Sequence, residues 1–347
     1  MIGLGGVGSW GHLPGYEEIT DQAKIVAFCD VNPGAINEAA TKHGAKTYSD
    51  YKQLLADPSV EMVDICLPHF LHAEVALAAA RAKKHVLCEK PFCLDLKVAD
   101  EIIKTTKDNG KKLMVAENTR FVKAYEVARG FLEKKAIGDV CLARTYLGGS
   151  EMIRLSDPDN WIGKKVKAGG GVLMDSGVHS YYLLEWMVGR IKRVFASTAV
   201  FLKDLYADVE DNAVVNFAFD TGALGVSSFS NTTEAPWTER LEMYGTKGSI
   251  IVDMLSERPV QVYSTVNRSD DMSEWWSFYG DVSWQEPFIM HSALDWKAAS
   301  MRKEVQHFVS CVREGGDPLV SGSDGKRNVE IALKALESAK VGDWVTA

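Results

Sequence analysis

Short apolar runs alternate with helical stretches through the first third of the chain. Four runs that predict buried strands lie at 24–29, 62–67, 85–88 and 113–116. Predicted helices lie between them at 33–43, 49–56, 73–82 and 94–109. Ser49 is the candidate N-cap of the second helix, and His72 stands at the start of the third. This alternation is typical of βαβ units, so the sequence predicts an α/β fold with a parallel sheet.

The pattern changes near residue 118, where we place a domain boundary between 1–118 and 119–347. One more helix is predicted at 125–135, and two amphipathic helices close the chain at 295–313 and 324–341. The strands predicted between them lie at 140–148, 194–202, 211–219, 223–230, 239–244 and 249–253. Their spacing favours an antiparallel meander, so the second domain is predicted to be α+β.

A glycine-rich loop opens the chain and satisfies the pattern G-x-G-x-x-G. Its members are Gly3, Gly5, Gly6, Val7 and Gly8. In such a loop one glycine permits a tight turn, one lets a pyrophosphate approach the backbone, and one lets helix and strand pack closely. Only Met1 and Ile2 precede the loop, whereas a sheet of this kind needs a strand there. We therefore expect that residues upstream of Met1 are missing.

Asp30 strengthens the weak signal of the glycine loop. It follows the predicted strand 24–29 at the place where a dinucleotide fold puts a carboxylate for the adenosine ribose. The alternative is that Asp30 is a turn or cap residue ahead of Asn32 and Pro33. Because a carboxylate repels a 2′-phosphate, the loop predicts NAD in preference to NADP.

Bulk properties exclude several classes of partner. The net charge of −8 argues against nucleic acid or an anionic membrane as partner, and no apolar run is long enough to span a bilayer. No basic segment followed by an apolar stretch opens the chain, and the six cysteines form no CxxC pair. We expect a cytoplasmic protein with reduced cysteines. The HxxH of His69 and His72 has no matching carboxylate, so no metal site is predicted.

Two further segments carry candidate chemistry. Glu89, Lys90 and Pro91 directly follow a predicted strand, at the end of the sheet where α/β folds bind ligands. The second is GGGVLMDSGVH at 169–179. If its second half is helical, Asp175 and His179 stand four residues apart and share one face.

These segments together resemble the Gfo/Idh/MocA oxidoreductase family. The similar pieces are GLGGVG, CDVNP, LPHFLHAEVALAAARAKKHVLCEKP, NTRF, GGGVLMDSGVHSYYLLEW and VSGSDGKRNVEIALKALESA. The resemblance implies a Rossmann domain, then a large, open, mostly antiparallel sheet whose outer face forms homodimers or homotetramers. It implies that Lys90, Asp175 and His179 are catalytic and that the Lys90–Pro91 bond is cis. Tyr182 departs from the aspartate that many sugar and inositol dehydrogenases carry there.

Other residues are predicted to border the ligands. Pro68, His69, Glu89, Lys90 and Glu117 are candidate cofactor contacts. Lys90, Asn118, Arg154, Trp161, Asp175 and His179 are candidate substrate contacts. The aromatic segment Trp275–Phe288 suits either the C–H face of a sugar or an interface.

The side chains fit oxidation of an alcohol. Hydride leaves a carbinol carbon only as the hydroxyl proton is removed, and histidine, with an ordinary pKa of about 6.5, is a suitable base. Lys90 can stabilise the developing alkoxide, and Asp175 can orient the imidazole or hold a hydroxyl. Each residue also has a structural alternative. Lys90 could be a solvated strand end, His179 a core residue and Asp175 a cap.

Three functions remain open at this point. The leading prediction is an NAD-dependent dehydrogenase acting on a ring secondary alcohol of a sugar, inositol or glycoside. The second is a glycoside-processing enzyme that retains NAD and oxidises C3 of the sugar transiently. The third is a nucleotide-sensing regulator without catalysis, against which the complete set of Lys90, Asp175 and His179 argues.

Overall fold

The computed structural model describes residues 1–202, 207–266 and 295–347, so the aromatic segment Trp275–Phe288 lies outside the described residues. The described chain forms two compact units. Unit 1 comprises Met1–Phe121, Val166–Gly169 and Lys297–Val329. Unit 2 comprises Val122–Lys165, Gly170–Trp296 and Glu330–Ala347. Each unit therefore contains several stretches of the chain, and the single boundary at residue 118 stays a prediction.

The first stretch alternates helices and strands. A π-helical turn, Val7–His12, leads into α1, and a 3₁₀ turn, Asn118–Phe121, ends the stretch. The elements are α1 Leu13–Glu17, β1 Ala27–Cys29, α2 Pro33–His43, β2 Lys46–Tyr48, α3 Tyr51–Ala56, β3 Met62–Ile65, α4 His69–Arg81, β4 His85–Glu89, α5 Leu96–Asp108 and β5 Leu113–Ala116.

The remainder of the chain combines helices with the strands of a second sheet. A 3₁₀ turn, Trp161–Gly163, precedes the third helix of this part. The elements are α6 Lys123–Glu133, β6 Val140–Gly148, α7 Met152–Leu155, α8 Lys165–Ala168, α9 Val172–Asp175, α10 Gly177–Met187, β7 Ile191–Ala199, β8 Asn212–Phe219, β9 Leu224–Ser230, β10 Thr238–Gly245, β11 Gly248–Asp253, β12 Val260–Ser264, α11 Asp295–Glu314, α12 Gly322–Val341 and β13 Val345–Thr346.

Unit 1 contains the predicted parallel sheet. Strand β1 pairs with β2, and β3, β4 and β5 pair in that order, all in parallel. Ile2 forms parallel bridges to both Cys29 and Ile65, so it lies between β1 and β3 and joins the two sets of strands. Strand β1 is buried throughout and β4 is buried from its second residue onward, as expected for a sheet covered on both faces. The carboxyl ends of these strands hold the glycine loop, Asp30 and Lys90.

Three predicted helix starts in unit 1 are wrong. Helix α5 begins at Leu96, after its N-cap Asp95, and not at residue 94. Helix α3 begins at Tyr51 because Asp50, not Ser49, is its N-cap and accepts a hydrogen bond from the Lys52 N–H at 2.8 Å. Helix α4 begins at His69 directly after Pro68, so His72 lies inside the helix. By contrast, α2 spans the predicted residues and is closed by Gly44 in the left-handed conformation.

Unit 2 is built on one eight-stranded sheet in the order β12-β11-β10-β6-β9-β8-β7-β13. The sheet is mostly antiparallel, as predicted, but the meander is wrong at β6. This strand lies between β10 and β9 and pairs with β9 in parallel. The chain leaves β6 through a long helical stretch, so the later strands can form on either side of it. The spacing of the strands along the sequence gives no information on the position of β6 between β10 and β9.

Helix α10 is apolar on nearly all sides and packs against unit 2's own sheet. Tyr181 makes edge contacts with Phe217 and Phe229, with ring centroids 5.9 and 6.1 Å apart. These contacts hold the helix that carries His179. Among the described residues, none of the helices combines the length and apolar character required to cross a bilayer.

Candidate functional site

The glycine loop has the geometry that its sequence predicts. Gly3 has a φ of +86°, and a Cβ there would lie 2.2 Å from the carbonyl oxygen of Cys66. A Cβ on Gly8 would lie 2.6 Å from the carbonyl oxygen of Gly3, so this position is closely packed. Around Gly5 no atom lies within 4 Å of such a Cβ. The loop is therefore packed at both ends and open at its centre, where a ligand can approach the backbone.

Asp30 connects the end of β1 to the glycine loop. One carboxylate oxygen accepts a hydrogen bond from the Leu4 N–H and the other from the Asn32 N–H, each at 2.9 Å. The capping role belongs to Asn32, whose side chain accepts from the Gly34 N–H at 3.0 Å. A carboxylate oxygen can accept more than one hydrogen bond, so Asp30 can also accept from ribose hydroxyls. The loop and this carboxylate fit the adenosine and pyrophosphate of a dinucleotide.

Lys90 follows the last residue of β4, and its peptide bond to Pro91 is cis, as expected. The preceding side chain, Glu89, is buried. One oxygen of Glu89 accepts from the Lys90 backbone N–H, and the other accepts from Nε2 of His12, both at 3.0 Å. Glu89 was a candidate cofactor contact, and the structure directs its carboxylate to these internal partners.

His12 lies at the centre of a buried charged cluster in unit 1, which we call the His12 cluster: His12, Asp64, Glu89 and Glu304. Nδ1 of His12 donates to Asp64 at 2.9 Å, Nε2 donates to Glu89, and a Glu304 oxygen lies 3.6 Å from Nε2. His12 and Glu304 are 0% exposed. Both ring nitrogens face carboxyl groups, an arrangement that fits an imidazolium donating to two carboxylates.

The pKa values of the His12 cluster agree with this geometry. Burial lowers the pKa of His12, but the charges of Asp64 and Cys66 and the hydrogen bonds to both together outweigh burial and hold this pKa well above its ordinary value. Burial raises the pKa values of Asp64 and Glu89, but their contacts with His12 leave both below their ordinary values. Burial holds the pKa of Glu304 well above its usual range. The shifts therefore favour the charged forms of His12, Asp64 and Glu89 and the neutral form of Glu304.

Sequence reasoning missed the His12 cluster, although Asp64 carried a signal. It lies in the middle of a buried apolar strand, and a charge in that position requires a buried partner. The cluster also contains residue types that bind metals, with Cys66 beside His12 and Asp64. Burial raises the pKa of the Cys66 thiol to about 12. The short contacts of His12 with Asp64 and Glu89 have the geometry of buried ion pairs.

His72 contacts Pro91, the residue that follows Lys90. It is fully buried, and its Nδ1 lies 2.9 Å from the carbonyl oxygen of Pro91, while its Nε2 lies 2.7 Å from that of Leu67. Burial lowers its pKa to about 4, so at neutral pH the ring is uncharged and donates to one of the two carbonyls. Both residues that flank Lys90 in the chain thus contact a buried histidine.

The other predicted contacts of unit 1 lie around the ends of β3 and β5. Pro68 precedes α4, and His69 is buried with Nδ1 3.0 Å from the carbonyl oxygen of Ala168. Glu117 is buried and accepts from the Thr119 N–H at 3.3 Å. Asn118 donates to Ser300 at 2.9 Å. Their contacts with cofactor or substrate stay predictions.

In unit 2 the segment with Asp175 and His179 forms two short consecutive helices. Asp175 ends α9 and His179 is buried in α10, while Ser176 between them keeps helical backbone angles. The helix is interrupted between these two residues, where the His179 N–H bonds to the Ser176 carbonyl, three residues earlier. The two side chains still stand about one helical turn apart.

Glu210 holds the start of α9. One of its carboxylate oxygens accepts from the Gly171 N–H at 2.9 Å and the Leu173 N–H at 3.1 Å. Its carbonyl oxygen accepts from the Val172 N–H at 3.0 Å. A Cβ on Gly171 would lie 1.8 Å from that carbonyl oxygen. Glycine is required at 171 because the backbone of Glu210 lies directly against it.

Two predicted substrate contacts lie elsewhere in unit 2. Arg154 donates to Glu151 at 3.1 Å and its side chain is 45% exposed. Trp161 is partly buried and packs on the small cluster of Leu155, Ile162 and Val209. Their contact with a substrate stays a prediction.

Comparison with known proteins shows a family for each part of the chain. Residues 1–117 match the oxidoreductase family with an NAD-binding Rossmann fold, and residues 125–251 match the GFO/IDH/MocA C-terminal domain. The chain is 30% identical to myo-inositol 2-dehydrogenase from Thermotoga maritima over 342 residues, which cover 97% of this chain and 95% of that protein. The chain belongs to the Gfo/Idh/MocA oxidoreductase family.

Further members of the family resemble the chain over its full length. The scyllo-inositol 2-dehydrogenase (NAD⁺) of Bacillus subtilis is 27% identical over 99% of this chain and 94% of that protein. A solved structure of levoglucosan dehydrogenase with NADH and levoglucosan is similar with a TM-score of 0.86, at 26% identity, over 99% of this chain and 97% of that one. The predictions of a Rossmann domain, a mostly antiparallel second sheet and an NAD-dependent oxidoreductase are confirmed.

Proposed function

We propose that this Gfo/Idh/MocA oxidoreductase oxidises a ring secondary alcohol of a cyclic polyol or sugar to the ketone, with NAD⁺ as hydride acceptor. The observation that carries this proposal is the placement of Lys90 at the carboxyl end of β4, in the set of parallel strands that Ile2 joins to β1, the glycine loop and Asp30. Open parallel sheets bind dinucleotides at this edge. The named activities of the inositol and levoglucosan dehydrogenases support the substrate class.

The residues of this chain have separate roles in the proposed reaction. Gly3, Gly5 and Gly8 shape the loop for the pyrophosphate, and Asp30 accepts from the adenosine ribose. When bound, NAD⁺ supplies the acceptor for the hydride from the carbinol carbon. Lys90 donates a hydrogen bond to the substrate oxygen, and His179 takes the hydroxyl proton. Asp175 orients the imidazole or holds a neighbouring hydroxyl.

The net reaction balances without a further reactant. The alcohol loses a hydride to NAD⁺ and a proton to His179, which passes it to water, giving the ketone, NADH and H⁺. The outer face of the unit 2 sheet is proposed to form a homodimer or homotetramer. The exposed Val214 and Leu224, on its neighbouring strands β8 and β9, support this assembly.

A substrate panel with matched variants tests the proposal. Purified protein, NAD⁺ and myo-inositol, scyllo-inositol, levoglucosan or glucose are mixed, and NADH formation is followed. Lys90→Ala and His179→Ala should each lower kcat roughly a hundredfold or more, with little change in the Kd for NAD⁺. Lys107→Ala, on the exposed side of α5, is the control and should keep full activity.

The panel also separates the competing functions. A glycoside that is cleaved while NAD⁺ is not consumed would indicate the NAD-retaining enzyme. Binding of NAD⁺ without turnover of any sugar would favour a regulator. A folded His179→Ala variant with the full rate would remove His179 from the reaction and leave it a core residue.

A further inference from the structure

We propose that His12 is a positioning residue for Lys90 and acts through Glu89. The inference rests on the proposed catalytic role of Lys90. It adds a side chain that does not itself touch substrate but determines where the backbone of Lys90 is held.

The hydrogen bonds form a continuous path within unit 1. His12 ends the π-helical turn that follows the glycine loop. Its Nε2 donates to one oxygen of Glu89 at 3.0 Å, and the other oxygen accepts from the Lys90 N–H at 3.0 Å. Its Nδ1 donates to Asp64 on β3 at 2.9 Å. These bonds join the π-helical turn Val7–His12 to strands β3 and β4, and β4 leads directly to Lys90.

Charge and burial make this path rigid. His12 is 0% exposed, Asp64 is 2% exposed and Glu89 is 6% exposed, so water does not screen the two ion pairs strongly. The groups that face the imidazole are Asp64, Glu89 and Glu304, with Cys66 3.5 Å from Nδ1. Tyr16 also lies within electrostatic range of Asp64 and Glu304. His12 thus lies between the carboxyl groups of Asp64 and Glu89, one on each ring nitrogen.

Glu89 is held in one orientation by these bonds. A carboxylate whose two oxygens are bonded to groups on different elements cannot rotate without breaking one bond. If the His12 bond is lost, Glu89 is free to turn, and the Lys90 N–H loses a fixed acceptor. The position of the ammonium group then varies, and small misplacements of a catalytic group reduce the rate strongly. NAD⁺ affinity depends on the glycine loop and Asp30 and should change much less.

The test uses three variants of the full chain. His12→Gln removes the cation, and Glu89→Gln keeps the side-chain shape but supplies only one acceptor oxygen for two donors. His85→Gln is the matched control, because His85 begins the same strand and accepts from the Lys112 N–H at 3.0 Å. Each protein is assayed with the panel sugar that the wild type oxidises fastest. The Kd for NAD⁺ and the hydrogen exchange rate of the Lys90 amide are measured without substrate.

The proposal predicts a specific pattern of results. His12→Gln and Glu89→Gln should lower kcat roughly tenfold or more and change the Kd for NAD⁺ by less than about threefold. Exchange of the Lys90 amide should rise by roughly tenfold in both variants, with and without NAD⁺. His85→Gln should leave kcat and the Lys90 amide unchanged. In a Lys90→Ala background, His12→Gln should cause no further loss of kcat.

Several outcomes would overturn the proposal. One is a folded His12→Gln protein with normal kcat, and another is a loss of kcat that persists undiminished in the Lys90→Ala background. If His12→Gln does not fold, Glu89→Gln decides, since it keeps the pair of His12 and Asp64. Failure of the proposed function looks different. There, Lys90→Ala itself keeps the full rate, whatever happens to the Lys90 amide.

Discussion

Unit 1 and unit 2 hold their candidate catalytic residues by different physical means. Lys90 is held in unit 1 through buried ions, with His12 between Asp64 and Glu89. His179 lies in the apolar helix α10 of unit 2, and the helix before it, α9, begins where Gly171 packs directly against the backbone of Glu210. Ion pairs therefore stabilise the backbone around Lys90, whereas close packing stabilises the helical segment that contains His179.

The difference predicts different sensitivities. An arrangement of buried ions responds to pH and to loss of a single charge, because an unpaired buried ion is costly. An arrangement of close contacts responds to added volume and is little affected by pH. The predictions below separate the two units on that basis.

The largest effect on stability is expected for Gly171→Ala in unit 2. The added Cβ would lie 1.8 Å from the carbonyl oxygen of Glu210, so the backbone must move. We expect a loss of about 3 kcal/mol or more in the free energy of unfolding, measured with urea.

Gly130→Ala is the control for Gly171→Ala. No atom lies within 4 Å of its Cβ, and it is inside helix α6. It should stabilise the protein by about 0.5–1 kcal/mol. Equal effects of the two changes would contradict the packing argument.

A smaller effect, dependent on pH, is expected in unit 1. The pKa of His12 is raised in the folded state, so its stabilisation is fully present below about pH 6.5 and is lost as pH rises through the folded pKa. The raised pKa of Glu304 acts in the same direction, starting from its lower ordinary value. The free energy of unfolding of the wild type should therefore fall as pH rises from neutral to alkaline.

His12→Gln sharpens that prediction. The variant should be less stable at neutral pH by about 3 kcal/mol, since it leaves two carboxylates without their buried cation. Above pH 6.5 it should lose less stability than the wild type, because the imidazolium is absent. Urea unfolding of the two proteins at several pH values measures both the difference in stability and its dependence on pH. Parallel curves for the two proteins would show that His12 is not charged in the folded protein.

The smallest effect is expected for Asp30, and it concerns the affinity for dinucleotides, not the stability of the fold. Its carboxylate should disfavour the 2′-phosphate of NADP, so the wild type should bind NAD⁺ more tightly. Asp30→Ala should narrow the difference by roughly tenfold, about 1.4 kcal/mol, in titrations with both dinucleotides. Some loss of affinity for both is expected as well, because the Leu4 N–H loses its acceptor. Equal affinity of the wild type for the two dinucleotides would contradict the role of Asp30.

Sequence patterns were sufficient where local chemistry decides the structure. Helix α2 and strands β5 and β6 span their predicted residues, because caps, glycine and apolar runs lie next to the elements that they define. The spacing of G-x-G-x-x-G likewise predicted which glycines are packed and which is open.

Partners distant in sequence were not predictable in the same way. Asp64, Glu89 and Glu304 reach His12 from a strand, a strand and a helix, and no local pattern encodes their meeting. The insertion of β6 beside β9 depends on the whole sheet in the same way. The predicted N-cap of α3 was wrong because Ser49 and Asp50 are adjacent, and serine and aspartate are both favoured at this position.

The central claim is hydride transfer from a ring carbon to NAD⁺, and isotope transfer tests it most directly. The polyol that is oxidised fastest in the panel is prepared with deuterium on its ring carbons and incubated with NAD⁺ and the purified chain. The account predicts that deuterium appears in NADH in amounts equal to the ketone formed, and that Lys90→Ala and His179→Ala slow both equally. Ketone formed without deuterium in NADH, or turnover without any NADH, would contradict it.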